Sequence, residues 1–279
     1  MNSNFILKRL SSVAASVVAL MIGGSPVQTT AAAFDSPEGD WDFSFTGSTK
    51  GVAQITFLND FTVSGIEILM PKKAMPIGAS VNNNPRGGST SGVDPRTGQP
   101  EDRQFLYAWG GRFIDGFWGY DEKGKVVGAV TFTSNSGTNG MSFVGTVVQG
   151  TRMTLRASDA TGKMIYRGVP RVVLPDISGD YSAVGKKGRS QLTGLYSFTP
   201  SGDPNIYDVV IRGPGYTTSG IGLLTSTKQL GIYYEITNSG PPIVIAVSGA
   251  FNSSKLKGTV TGTDGTNNIS LKIVQPQLP

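Results

Sequence analysis

The stretch Leu230-Gly231-Ile232-Tyr233-Tyr234-Glu235-Ile236-Thr237-Asn238-Ser239-Gly240 decides the fold. Leu230, Ile232, Tyr234 and Ile236 fall on every second position, the period of a strand with one face buried. Asn238-Ser239-Gly240 then supplies residues that tolerate a tight turn. Beyond it Ile243, Ile245, Val247 and Phe251 share a face, so the pair reads as an antiparallel hairpin.

The same period runs outward through most of the chain. Ala53, Ile55 and Phe57 share one face, as do Val126, Val130 and Phe132; Met141, Phe143 and Val147; Met153 and Leu155; and Ile269, Leu271 and Ile273. Turn residues separate these runs at Gly110-Gly111, Glu122-Lys123-Gly124, Asn135-Ser136-Gly137 and Asp264-Gly265. With 38 glycines and 15% charged residues, the composition is that of many short strands joined by tight turns. The fold class is all-β.

Four blocks recur in order. Gly39-Asp40-Trp41 answers Gly179-Asp180-Tyr181, and Phe61 to Leu69 answers Tyr216 to Leu224. Gly116-Phe117-Trp118-Gly119-Tyr120 answers Gly231-Ile232-Tyr233-Tyr234-Glu235, and Gly145-Thr146-Val147 answers Gly258-Thr259-Val260. The repeat predicts two tandem antiparallel β-meander units, residues 34–175 and 176–279, divided at Pro175-Asp176. Each holds about seven to nine strands, enough for a meander to close into a barrel and abolish its edges. In strand count the arrangement resembles the calycin group of up-and-down barrels, lipocalins and avidins; the resemblance stops there. An insertion at residues 71–102 has no counterpart in the second unit. Its Asn82-Asn83-Asn84-Pro85, Gly87-Gly88-Ser89-Thr90 and Asp94-Pro95-Arg96-Thr97-Gly98 are too polar for a core and read as a surface excursion or a recognition loop.

Residues 1–33 read as a signal peptide. Lys8-Arg9 precede an apolar stretch from Leu10 to Gly24, and Ala31-Ala32-Ala33 offers the small residues a signal peptidase requires. Cleavage before Phe34 would remove two basic and no acidic residues, taking the formal charge from +5 to +3. The apolar stretch is too short to anchor the chain in a bilayer. The expected location is periplasmic or secreted, and zero cysteines place the whole burden of stability on pairing and burial.

The chemistry is bounded by what is missing. Without histidine or cysteine, the usual zinc hydrolases, Ser-His-Asp hydrolases, thiol proteases and dithiol redox motifs are excluded. Carboxylate pairs remain, among Glu38, Asp40 and Asp42 and among Asp115, Asp121 and Glu122; they read as solvated turn and strand-end acids, with a glycosidase pair or a calcium site at Asp40 and Asp42 as the functional alternatives. A Ser-x-x-Lys match at Ser254 and Lys257 lies in a turn with the lysine on a polar face. No metal site, cofactor or nucleic-acid surface is expected, and Lys186-Lys187-Gly188-Arg189 reads as a solvated turn.

The densest aromatic stretch, Phe105 to Tyr120, reads as two strands joined at Gly110-Gly111. Phe105, Tyr107 and Trp109 share one face, Trp118 and Tyr120 another, and Phe113 and Phe117 the opposite one. Aromatics on both faces exceed what one core needs, so Tyr107, Trp109, Phe117, Trp118 and Tyr120 are the candidate ligand-binding residues for an apolar or sugar-like molecule. The sequence thus points to an exported non-enzymatic β-barrel protein that binds an unidentified small molecule or serves as a cell-envelope scaffold. An integral outer-membrane barrel is the first alternative, disfavoured by strands of about seven residues; a carboxylate-dependent secreted carbohydrate-active enzyme is the second.

Overall fold

The computed structural model describes residues 34–71, 90–93, 100–103, 110–134, 137–148, 150–159, 162–236, 243–264 and 267–276. The expected signal peptide, Phe105, Tyr107, Trp109 and the Asn238-Ser239-Gly240 turn lie outside them. Alternating apolar residues build strands, and among the described residues there is no helix. β1 (Gly39–Gly47), β2 (Thr49–Phe57) and β3 (Thr62–Pro71) begin a meander, which β4 (Thr90–Val93) and β5 (Pro100–Arg103) interrupt as a separate two-stranded hairpin. It resumes through β6 (Gly110–Tyr120), β7 (Val126–Ser134), β8 (Gly137–Val148), β9 (Arg152–Asp159) and β10 (Gly162–Pro170). β10 returns to β1, with Trp41 opposite Pro170 and Phe45 opposite Tyr166, and closes an eight-stranded barrel.

The second barrel is an uninterrupted meander: β11 (Gly179–Lys187), β12 (Ser190–Pro200), β13 (Ile206–Gly213), β14 (Tyr216–Thr225), β15 (Gln229–Ile236), β16 (Ile243–Asn252), β17 (Lys257–Thr263) and β18 (Asn268–Val274). Ala183 of β11 faces Ile273 of β18, which closes these eight strands as well. Closure removes the exposed edges through which an open meander would pair with another copy.

Inward positions alternate as expected. Phe43, Ile55, Phe57, Leu155 and Tyr166 are buried in the first barrel, and Tyr181, Val209, Ile232, Tyr234 and Leu271 in the second. Large rings fit because glycines face them: a Cβ on Gly168 would lie 2.4 Å from the Phe43 ring, and one on Gly128 would lie 2.3 Å from that of Phe143. Each barrel is capped by the same device at the start of its first strand. Trp41 Nε1 donates to the Pro37 carbonyl at 2.7 Å, and Tyr181 Oη donates to the Ile177 carbonyl at 2.9 Å, four residues back in both cases. Gly39 and Gly179 make the fold-back possible with φ of 114° and 122°.

Four readings of the sequence need correction. Gly110-Gly111 is no turn: both glycines open β6, paired with Leu69 and Ile68 of β3. The insertion is not without secondary structure, since it contains the β4–β5 hairpin, and its first residue, Pro71, ends β3. Lys186 and Lys187 end β11, and only Gly188-Arg189 turn. The barrel strands run from 7 to 12 residues, so length does not separate them from membrane strands. The repeat blocks also shift. The first pair matches β1 with β11, but the later ones match β3 with β14, β6 with β15 and β8 with β17, each one strand further along the second barrel.

The barrels pack on each other within one compact unit, Asp35–Pro279. Outward residues of β2 and β3 (Val52, Ile66, Ile68, Met70) meet outward residues of β14 and β16 (Leu223, Val244, Ala246) in a buried apolar seam. Gly231 lets the walls approach, since a Cβ there would lie 2.5 Å from Val52 Cγ2. Beside the seam, the fully buried Asp42 carboxylate uses both oxygens. Arg171 Nε donates to Oδ1 at 2.9 Å, while the Ser226 N–H and Oγ–H donate to Oδ2 at 2.6 and 2.7 Å. The link between barrels is pinned in turn: Val172 N–H donates to Ser226 Oγ at 2.9 Å, and Asn205 bridges the Val172 carbonyl and the Leu174 N–H.

Two predictions follow from this packing. Asp42→Ala strands Arg171 and the Ser226 donors in a water-poor junction, and should lower unfolding free energy in urea by about 3–5 kcal/mol; a loss under about 1 kcal/mol would contradict the assignment. In the second barrel, burial holds the Tyr181, Tyr196 and Tyr234 phenols above the ordinary tyrosine range. A raised folded pKa gives stability that is complete below the unfolded value near pH 10 and lost as pH rises above it. Ultraviolet titration should therefore show these phenols ionising together with unfolding, rather than smoothly in the folded chain.

Candidate functional site

β6 positions three of the five expected ligand-binding residues. Its alternation sends Trp118 inward, where it is 5% exposed, packs edge-on to Phe57 and Tyr120, and donates from Nε1 to the Leu58 carbonyl at 2.8 Å. Tyr120 is half-buried over the same core, its hydroxyl 3.3 Å from the Asp35 carbonyl, and burial raises its phenol above the ordinary value. Phe117 points outward and is 69% exposed. The structure thus makes Trp118 a plug for one end of the first barrel and leaves Phe117 as the aromatic face turned to solvent. Sequence reasoning missed Phe61, which is 53% exposed at φ 66° with its ring 5.0 Å from that of Trp118.

The carboxylates are absorbed by local structure. Asp121 Oδ1 accepts from the Lys123 and Lys125 N–H groups at 2.9 and 2.8 Å, which fixes the β6–β7 turn, while Asp115 is exposed on the outer wall. Asp40 accepts from Thr56 Oγ1 at 2.5 Å and from Arg171 at 3.4 Å. Both Asp42 oxygens are engaged by protein donors, Oδ1 by Arg171 and Oδ2 by Ser226. Among the described residues no cluster of acidic side chains is arranged to hold a metal ion. Ser254 sits in the β16–β17 turn and Lys257 opens β17, both exposed. One carboxylate that the pattern did not single out is Glu67, fully buried inside the first barrel and receiving the Tyr166 hydroxyl at 2.9 Å.

Space for a ligand is distributed unevenly. Inside the first barrel, the void among Ile55, Phe57, Val63, Ile114, Val130, Phe143 and Tyr166 amounts to about 10 Å³. That is room for one water molecule at most. A groove of about 350 Å³ lies instead where the barrels meet, lined by Lys50 of β2 and by Lys186, Thr261, Asn268 and Ser270 of the second barrel. Lys50 Nζ reaches Thr261 Oγ1 at 3.4 Å, and burial lowers its ammonium pKa from the ordinary value. Lys187, one residue on from Lys186, turns to the opposite face and pairs with Asp264 at 2.7 Å. Burial alone would raise the Asp264 carboxyl, but the Lys187 ammonium and the Asn267 N–H outweigh it and hold it low. No local signal in the sequence joins Lys50 to Lys186, because they meet only through the packing of two barrels.

No family profile matches the chain, and no curated protein matches it in sequence. Among solved structures it is similar to a candidate outer membrane protein of Bacteroides fragilis, at 10% identity over 86% of this chain and 97% of that one, with a TM-score of 0.24. A protein of unknown function from the DUF3598 family of Nostoc punctiforme is 12% identical over 85% of this chain and 95% of that one, with a TM-score of 0.23. Likeness at that level carries no argument, so function rests on the chain's own residues.

The two neighbours on β6 give opposite expectations. Trp118→Ala should cost about 3–5 kcal/mol of stability, as loss of a large buried ring does. Phe117→Ala should leave stability within about 0.5 kcal/mol. Paired urea titrations check both; equal effects would contradict the inward and outward assignment.

Proposed function

We propose that this is an exported, non-enzymatic envelope protein whose two barrels form a solid framework and whose ligands or partners are met on its outer surface. The observation that carries the reading is the small void among the described residues inside the first barrel, about 10 Å³. A site for a lipid, pigment or similar molecule needs roughly 300–1,000 Å³, and the central void falls short of that by more than tenfold. The second barrel favours the same reading, for its inward positions hold Tyr181, Tyr196, Tyr207 and Tyr234, with Tyr196 and Tyr234 hydroxyls 3.0 Å apart.

The polarity of the walls argues against the outer-membrane alternative. A membrane barrel is apolar outside and polar within. β18 does the reverse, with Asn268, Ser270 and Lys272 outward and Ile269, Leu271 and Ile273 inward, and β9 exposes Arg152 and Arg156 while burying Met153 and Leu155. No helix among the described residues is long and apolar enough to cross a membrane, which leaves strands to decide the question. Export to the periplasm or medium rests on the amino-terminal segment. The missing histidine and cysteine, with Asp42 and Asp121 committed to structure, support a non-catalytic role.

A second reading is favoured by Phe117 and Phe61, exposed aromatic rings beside the plugged end of the first barrel: they offer a stacking surface for a sugar-like ligand. The framework reading predicts that the neutral apolar dye Nile red gains no saturable fluorescence on adding folded protein. It also predicts recovery from cell extracts without detergent, with the amino terminus at Phe34. One-to-one dye binding to the native chain would contradict it.

A further inference from the structure

The groove between the barrels has an arrangement that the framework reading does not use. β17, β18 and β11 lie side by side there, and their register sets Thr261 opposite Ser270 and Ser270 opposite Lys186. All three project from the outer wall, so two hydroxyls and one ammonium form a row across three adjacent strands, about 10 Å from end to end. The first barrel supplies the opposite flank: Lys50, outward on β2, extends over the row to Thr261 Oγ1. The order is ammonium, hydroxyl, hydroxyl, ammonium, with Asn268 at the margin and the side-chain-free Gly188 and Gly262 leaving the floor open.

The charges in this row are uncompensated. Among the described residues neither Lys50 nor Lys186 is ion-paired, whereas Lys187 is held by Asp264 and Arg171 by Asp42. Two ammoniums facing each other across one groove repel, and the half-buried Lys50 has also lost part of its hydration. An anion between them would relieve both costs at once, while Thr261 and Ser270 donate their hydroxyl protons to its oxygens. A neutral sugar would satisfy the hydroxyls and leave the repulsion in place.

We propose that this groove, formed by Lys50, Thr261, Ser270 and Lys186, binds a small tetrahedral oxyanion of the phosphate type, free or as the monoester of a small solute. The site exists only in the assembled pair of barrels, since Lys50 comes from one and the remaining groups from the other. Lysines suit such an anion as compact charges whose three donors can each turn toward a different oxygen.

Calorimetric titration of the full mature chain with inorganic phosphate, glucose 6-phosphate and glucose, in low-salt buffer, tests the site. Saturable one-to-one binding is expected for inorganic phosphate or glucose 6-phosphate, and none for glucose. Stronger binding of inorganic phosphate identifies the free oxyanion as the preferred form, and stronger binding of glucose 6-phosphate identifies the monoester. Lys50→Met and Lys186→Met should each weaken binding about tenfold or more, the order expected from losing one charge-assisted hydrogen bond. Lys50→Arg should retain most of it, and Lys125→Met, on the remote β6–β7 turn, should change nothing. Circular dichroism confirms that each variant is folded. Absence of saturable heat with both phosphates, binding unchanged in both methionine variants, or equal binding of glucose would overturn the proposal.

Discussion

The carboxylate of Asp42 is the constraint on which the arrangement of the two barrels depends. It projects outward from β1, where a strand of an isolated barrel would meet water, yet it is completely buried. A charge in that position is tolerated only when its oxygens are occupied, and here Arg171 takes one while Ser226 takes the other twice. Arg171 follows directly on β10 and Ser226 lies in the β14–β15 turn, so one side chain ties the first strand of one barrel to the chain leaving it and to a loop of the next. Burial of Val52, Ile66, Ile68 and Met70 against Leu223, Val244 and Ala246 supplies the apolar area that keeps water from the junction.

From this junction the functional reading follows in physical steps. Among the described residues, aromatic rings and the glycines facing them occupy the inward positions of both barrels, and the void inside the first is about 10 Å³. What the union creates is new outer surface: a cleft where Lys50 of one wall reaches the hydroxyl row of the other. Two lysines, Lys50 and Lys186, line that cleft, and among the described residues the most exposed aromatic rings, Phe117 and Phe61, lie beside the plugged end of the first barrel.

Much of the fold was legible in the sequence, and the limit has a physical cause. Alternation reports which residues share a face, so the inward sets of β2, β15 and β18 came through as read. It does not report which faces are buried when both are. β3 shows the difficulty: Glu67 points into the barrel while Ile66 and Ile68 point out, a pattern that makes sense only once a second barrel covers the outside. The unbroken run Ile243-Val244-Ile245-Ala246-Val247 carries the same message, since a strand buried on both faces loses its polar alternation. The paired glycines at 110–111 misled because glycine marks turns and also opens strands. For the site, Trp118 and Tyr120 were placed correctly on one face of their strand, but whether that face lined a cavity or plugged a core is decided by volume, which sequence does not carry. Lys50 and Lys186 had no local signature at all.

If the buried junction makes the barrels one cooperative body, they must lose structure together. Pulse-labelling hydrogen exchange across a urea series, read peptide by peptide, tests this most directly by comparing β8–β9 with β11–β12, strands of the two barrels that take no part in the apolar seam. The account predicts one shared midpoint for both sets of peptides. Two separated midpoints, with one barrel remaining protected after the other has opened, would contradict it.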